Sequence, residues 1–191
     1  MRRATVNDRP LVVDILKKSF NDNKSVNDVV KQDRKRKHRI RRLMEYSFDL
    51  CNAFGEVWMS EDLQACALIL FEDKKRTSLR TILWDLKLAF SVIGLNRVSA
   101  VLKRESMIKN HHPKNPFAYL WFIGVSPSNQ NKGIGSSFIQ EVIQECDRKN
   151  RPIYLETSTK KNIPFYQKFG FEIFQSLNLN YTLYQLRKVK A

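Results

Sequence analysis

Residues 122–138 read FIGVSPSNQNKGIGSSF, and the fold turns on what that run becomes. Apolar residues stop before Pro127, polar ones lead into Gly133-x-Gly135, and apolar residues return beyond at helical spacing. A strand, a glycine turn and a helix start in that order aim several backbone N–H groups in one direction, at the positive end of a helix dipole. Such a turn is an anion cradle. The spacing excludes the nucleotide loop G-x-x-x-x-G-K-[ST] and the dinucleotide turn G-x-G-x-x-G. Two glycines alone also suit an ordinary tight turn.

Working outward, FAYLWFIGV at 117–125 predicts a strand apolar on both faces, as buried central strands are. Ile134, Phe138, Ile139, Val142, Ile143 and Cys146 mark one face of a helix ending near Asn150. PIYLET at 152–157 predicts another strand, NIPFYQKF at 162–169 a short helix that Gly170 can end, and FEIFQSLNLNYTLYQL a last pair of strands. On the other side, GEVWMSEDLQACALILF at 55–71 predicts a hairpin around Ser-Glu-Asp. ATV at 4–6 predicts a first strand, with Asn7 or Asp8 capping a helix that has Pro10 in its first turn and Leu11, Val12, Ile15, Leu16 and Phe20 as its stripe. A second helix runs through a basic stretch to about residue 52. Residues 81–110 read as mostly helical, with Trp84, Phe90 and the other apolar residues as core or pocket wall, until HHPKNP at 111–116 breaks the helix. No repeat and no Gly- or Ser-rich linker interrupts this order, so residues 1–191 are expected to be a single domain.

The length of 191 residues and the 42% apolar content suffice for a real core. MRRATVNDRP lacks the apolar segment of a secretory signal, and runs such as YLWFIGV are far too short to span a bilayer. The expectation is a soluble, cytoplasmic protein without a membrane partner. Cys51, Cys66 and Cys146 are odd in number and far apart, which matches neither a disulfide framework nor a zinc site; they are expected to be reduced and mostly buried. His111 and His112 have no third ligand at metal spacing, so no metal is expected, and the pair reads as loop residues before the central strand.

Lys and Arg number 34 against 19 Asp and Glu, a net charge of +15 that attracts polyanions such as nucleic acid, an acidic surface or a phosphorylated cofactor. The densest run is DRKRKHRIRR at 33–42. It is the best case for nucleic-acid binding, but Leu43, Met44, Tyr46, Phe48 and Leu50 continue it at helical spacing, which suits a solvated helix face.

The run Val125-x-x-x-x-Gln130-x-x-Gly133-x-Gly135 resembles the acetyl-CoA signature Gln/Arg-x-x-Gly-x-Gly/Ala of the GCN5-related N-acetyltransferase (GNAT) superfamily. PIYLETSTKKNIPFYQKFGFEIF resembles that superfamily's later motif, a strand, an Asn and an aromatic-Tyr-x-Lys-x-Gly-Phe helix end. The two motifs cover 117–175 in the right order, and the wording is nearest the branch that includes puromycin N-acetyltransferase. The resemblance implies an α/β (α+β) fold with a mixed, mostly antiparallel sheet of six to seven strands, flanked by helices, whose central strands splay apart. It implies transfer of an acetyl group from acetyl-CoA straight to an amine in a ternary complex. A small-molecule amine fits the nearest branch; a protein N-terminus or lysine is the rival acceptor, and a nucleic-acid-binding protein on the same scaffold is the rival of another class. A monomer and a homodimer stay open.

By the same resemblance the pantetheine arm pairs with the backbone of Ile123, Gly124 and Val125, and the pyrophosphate sits on the amides of Gln130, Asn131, Lys132, Gly133, Ile134, Gly135 and Ser136. Lys132 adds charge there or is a solvated loop lysine. Tyr166 matches the tyrosine that protonates the departing thiolate, which a phenol of pKa about 10 can do; otherwise it is a core tyrosine. Asn162 contacts the cofactor or caps the short helix. The strand at 117–125 has no carboxylate, so Glu156, at the end of the next strand, is the candidate base, with a structural glutamate or a water relay as alternatives.

Overall fold

The computed structural model describes residues 1–189. In chain order it contains β1 (Arg2–Arg3), α1 (Arg9–Ser19), α2 (Lys24–Val29), α3 (Arg36–Phe54), β2 (Gly55–Met59), β3 (Ala65–Leu70), α4 (Leu79–Leu88), α5 (Val98–Lys109), β4 (Ala118–Val125), α6 (Ile134–Arg148), β5 (Ile153–Thr157), α7 (Ile163–Lys168), β6 (Glu172–Asn178) and β7 (Thr182–Lys188). The strands form one seven-stranded sheet in the order β1-β2-β3-β4-β5-β7-β6, in which only β4 and β5 run parallel. This is the mixed, mostly antiparallel sheet expected.

β3 separates two cores. Its run ACALIL is buried at every position: Cys66, Leu68 and Leu70 face one side with α1, α3 and Val92–Ile93, while Ala65, Ala67 and Ile69 face the other with α6 and α7. Strand alternation sends successive side chains to opposite faces, so a strand covered on both sides must be apolar throughout.

β4 departs from that pattern and from the sequence expectation. Ala118, Leu120, Phe122 and Gly124 are buried, whereas Tyr119, Trp121, Ile123 and Val125 are only half-buried. The register against β3 jumps from Ile69↔Leu120 to Leu68↔Phe122, which leaves Trp121 as an extra residue. This bulge puts Trp121 and Phe122 on the same face and turns Ile123 and Val125 to the side of α6 and α7.

Four local expectations need correction. The first strand is Arg2–Arg3, not residues 4–6, because Thr5 and Asp8 form a capping box that turns Val6–Asp8 into a helical turn. Asp8 therefore bonds Arg2 and Thr5 and does not cap α1. A separate α2 stands ahead of the basic helix, which continues to Phe54. The 81–110 stretch is interrupted at Gly94, whose φ of +84° ends a π-helical turn over Ala89–Ile93. Cys51, Cys66 and Cys146 are free and buried as expected.

Candidate active site

The cleft opens where the sheet splits. β4 and β5 pair only at Ala118↔Ile153 and Tyr119↔Tyr154, so beyond Tyr119 the two strands diverge. Ser126 N–H bonds the Gln64 carbonyl at 2.7 Å. By alternation the main-chain groups of Gly124 face β3, and those of Ile123 and Val125 face the gap. The Val125 carbonyl is already engaged by Ser19 Oγ at 2.8 Å and Gln130 Nε2 at 3.2 Å. α1 can approach this closely because residue 124 is glycine: a Cβ there would lie 3.1 Å from the Leu16 side chain.

At the C-terminal end of β4 the chain makes the turn that the sequence marked out. Asn131 and Gly133 take left-handed φ values of +62° and +82°, and α6 begins at Ile134. Ser136 and Ser137 N–H both close onto the Gly133 carbonyl. The N–H groups of Asn131, Lys132, Gly133, Ile134 and Gly135 have no acceptor among the described residues. A row of unpartnered N–H groups at the head of a fifteen-residue helix is the structural form of an anion cradle.

A cavity of about 710 Å³ lies over the turn and the gap. Of the residues singled out in the sequence, Ile123, Gly124, Val125, Gln130, Asn131, Gly133, Gly135, Ser136, Asn162 and Tyr166 line it. Ile134 packs instead against the core around α6, and the Lys132 ammonium turns away to Asn129 Oδ1 at 2.9 Å. Lys18 and Lys161 supply cationic side chains to the lining, and Ser19, Phe20, Asp22, Asn23, Thr159 and Phe165 complete it. Nothing in the motifs pointed to Lys18 or Lys161.

Tyr166 is held on α7 by edge-on contacts with Phe165 and Phe171, at ring distances of 5.4 and 5.7 Å. Its residue is 8% exposed, and burial pushes the phenol up to about 12. The hydroxyl makes no hydrogen bond among the described residues, unlike a core tyrosine tied to backbone. Asn162 holds the cap position of α7, yet its side chain makes no capping bond.

Glu156 is placed differently. It is not part of the cleft lining, and its buried carboxylate receives Tyr119 OH at 2.5 Å, faces His112 Nε2 at 2.9 Å and accepts from Gln185 Nε2 at 3.4 Å. His112 lies in the loop between α5 and β4 as expected, but its side chain turns inward to join this cluster, packed edge-on against Phe117 at 5.2 Å. Its Nδ1 and the Gln185 Oε1 are buried without partners among the described residues. Burial and the Glu156 carboxylate together push the Tyr119 phenol well above its ordinary value. His111 binds the Met107 carbonyl and points elsewhere.

The basic run is partly engaged within the protein. Arg36 bonds Asn21 and Asn27, Arg39 bonds Asp33 and the Ser91 carbonyl, and Arg41 and Arg42 bond Glu45. It is one face of α3, with Ile40, Leu43, Met44 and Phe48 buried on the other. Among the described residues no group of His, Cys, Asp and Glu is arranged to hold a metal, and no helix is long and apolar enough to cross a membrane.

The site is thus a mixed sheet split between its two parallel strands, with a helix start of unpartnered N–H groups at the split. The profile of the Acetyltransferase (GNAT) family matches residues 44–171, and the chain belongs to this family. An uncharacterized N-acetyltransferase of Schizosaccharomyces pombe is 43% identical over 61 residues, which is 32% of this chain and 25% of that protein. The match thus spans about a quarter of the relative's length. Among solved structures, a histone acetyltransferase and related acetyltransferase from Corynebacterium glutamicum superposes with a TM-score of 0.73 at 21% identity, covering 100% of this chain and 95% of that one. Arylalkylamine N-acetyltransferase 2 from Aedes aegypti gives 0.66 at 14% identity, with 98% and 97% covered. At these identities the likeness is one of fold.

Proposed function

We propose that residues 1–191 act as a single N-acetyltransferase domain that acetylates a primary amine of a small molecule by direct attack in a ternary complex. The observation that carries this reading is the run of unpartnered N–H groups from Asn131 to Gly135, at the end of a cleft whose far wall holds the unbonded Tyr166 hydroxyl. That cradle fits a pyrophosphate. Lys161 adds charge for further phosphates while Lys18 is paired with Asp14, and the edge offered by Ile123 and the Val125 N–H fits an amide-bearing arm laid along it as an extra strand.

Acetyl-CoA supplies a thioester activated towards amines. The chain's own groups do the rest. The Val125 N–H faces the gap and is aimed to stabilise charge on the carbonyl oxygen. Tyr166 remains a proton donor through the neutral range because burial holds its proton, and it lines the cleft where the thiolate leaves. Glu156 takes the amine proton through a water relay, since neither its carboxylate nor the Tyr119 hydroxyl bonded to it lines the cleft.

The Aedes aegypti neighbour, an arylalkylamine acetyltransferase, supports a small acceptor, while the histone acetyltransferase-related neighbour represents the protein-acceptor alternative. The buried, unpaired thiols agree with a cytoplasmic setting. The test is a screen of purified protein with acetyl-CoA against arylalkylamines, polyamines, aminonucleosides and N-terminal peptides, read by free thiol release. Turnover with a small amine above every peptide supports the reading; turnover with peptides alone overturns it.

A further inference from the structure

α4 is apolar on two opposite faces. Its inner face places Thr81, Trp84 and Leu88 towards the protein, with Trp84 and Leu88 packed on the core around α3. The outer face is a second stripe, Leu79, Ile82, Leu83 and Leu86, continued by Phe90 in the π-helical turn that follows, at steps that return to one side of a helix. These five side chains are between 45% and 82% exposed. The sequence reading assigned Phe90 and its neighbours to core or pocket wall; the structure leaves Phe90 61% exposed, with nothing over it. A helix apolar all round is ordinarily buried all round, so this face lacks its covering.

The charges beside the stripe say what covers it. Lys74, Lys75 and Arg76 lead into α4, Arg80 and Lys87 flank it, and Lys103 follows on α5; all are exposed, and none has a carboxylate partner among the described residues. Of the acidic groups nearby, Glu72 is paired with Lys109, Asp73 with Arg151 and Glu105 with Arg104, while Asp85 accepts from the Tyr46 hydroxyl and keeps its charge. Six cations against this one carboxylate leave an apolar surface with a rim of net positive charge. A second copy would bring two such rims together, which like-charge repulsion opposes. An anionic bilayer takes protruding apolar side chains between its headgroups and cations against its lipid charge in one plane, which matches an apolar stripe rimmed by cations.

We propose that the outer face of α4 is a membrane-surface anchor, which lies in the headgroup layer of an anionic bilayer with Leu83, Leu86 and Phe90 in the hydrocarbon boundary and the basic rim on the lipid charges. The expectation of no membrane partner rested on the absence of a spanning segment, and a helix lying in the surface needs none. The anchor is independent of the acetyl-transfer chemistry, because it uses none of the cleft residues.

The test is co-sedimentation of the full chain with phosphatidylcholine vesicles, with and without phosphatidylserine, for wild type, Leu83→Glu/Leu86→Glu and Arg80→Glu/Lys87→Glu. Wild type is expected to pellet only with phosphatidylserine and to be released by salt. A leucine moved from water to hydrocarbon is worth about tenfold in partitioning, so the leucine variant should bind at least about tenfold more weakly. Each cation near the surface is worth about fivefold, so the charge variant should also fall. Both alter exposed side chains, so wild-type melting temperature and acetyl-CoA affinity are expected. Wild type remaining in the supernatant overturns the proposal. So does a leucine variant that binds as wild type, since the charge of α3 alone would then carry the attraction. A concentration-dependent dimer lost in the leucine variant overturns it in favour of a second copy.

Discussion

Replacing Tyr166 by phenylalanine separates its chemical role from its structural one. The ring keeps its contacts with Phe165 and Phe171, and the hydroxyl it loses has no hydrogen bond among the described residues. Stability should therefore stay within about 0.5 kcal/mol of wild type, because no satisfied bond is broken. Turnover should fall by about 100-fold to 10,000-fold, the usual worth of a positioned acid. At ~1.36 kcal/mol per factor of ten this is about 3 to 5 kcal/mol of barrier. The pH dependence has a definite sign. Burial pushes the phenol up to about 12, so its proton stays bound well past the ordinary value near 10, and the alkaline fall in turnover due to this group moves upward by the same amount. The assay is free-thiol release with the best amine from the screen at saturating acetyl-CoA, beside calorimetric affinity for acetyl-CoA. The protein's own thiols leave that signal clean: Cys51, Cys66 and Cys146 are buried, and burial pushes the Cys146 thiol up to about 12. A Tyr166→Phe enzyme with turnover within about threefold of wild type would refute the acid role; unchanged turnover with weakened acetyl-CoA affinity would reassign the residue to binding.

Gly133→Ala meets no atom within 4 Å, so its cost is the left-handed backbone alone, about 1–2 kcal/mol in urea unfolding, whereas Gly135→Ala, with its Cβ at an ordinary 3.5 Å from Val125, should fold as well as wild type. Arg104→Ala removes the buried cation that joins α5 to Asp28 and the Tyr181 hydroxyl, and because its partner carboxylate keeps access to water it should cost about 1–3 kcal/mol in the same measurement. Glu156→Gln keeps the shape of the His112, Tyr119 and Gln185 cluster but removes its charge, so kcat should fall by about 100-fold or more with little change in KM for acetyl-CoA. An active Glu156→Gln enzyme would place the base elsewhere.

Much of the fold was legible because local chemistry and global packing agree in the second half of the chain. β4, the glycine turn, α6, β5 and α7 each follow from apolar period and turn residues, and they hold the cleft between them. What stayed hidden depends on partners far away in sequence. The bulge at Trp121 is set by register against β3, and AYLWFIGV contains no residue that announces it. His112 could not be paired with Glu156 across 44 residues by any spacing rule. Lys18 and Lys161 reach the cleft because α1 packs on Gly124 and because the turn before α7 folds over the gap. The stripe on α4 was visible as apolar periodicity, but a periodic face looks alike whether it meets a core or is left open. The first strand was misplaced because ATV reads as β-forming, while the Thr5–Asp8 capping box decides the conformation.

The central claim is that the turn at 131–135 holds the pyrophosphate of acetyl-CoA, and calorimetric titration of acetyl-CoA into wild type beside Gly135→Asp tests it most directly. The aspartate adds a negative charge within the cradle; two unit charges about 4 Å apart at an effective dielectric of about 20 repel by about 4 kcal/mol, enough for about a 100-fold to 1,000-fold loss of affinity. The account predicts saturable one-to-one binding to wild type that persists at high salt and is lost in Gly135→Asp. Equal affinity in both proteins, or binding to wild type that vanishes with salt, would contradict it.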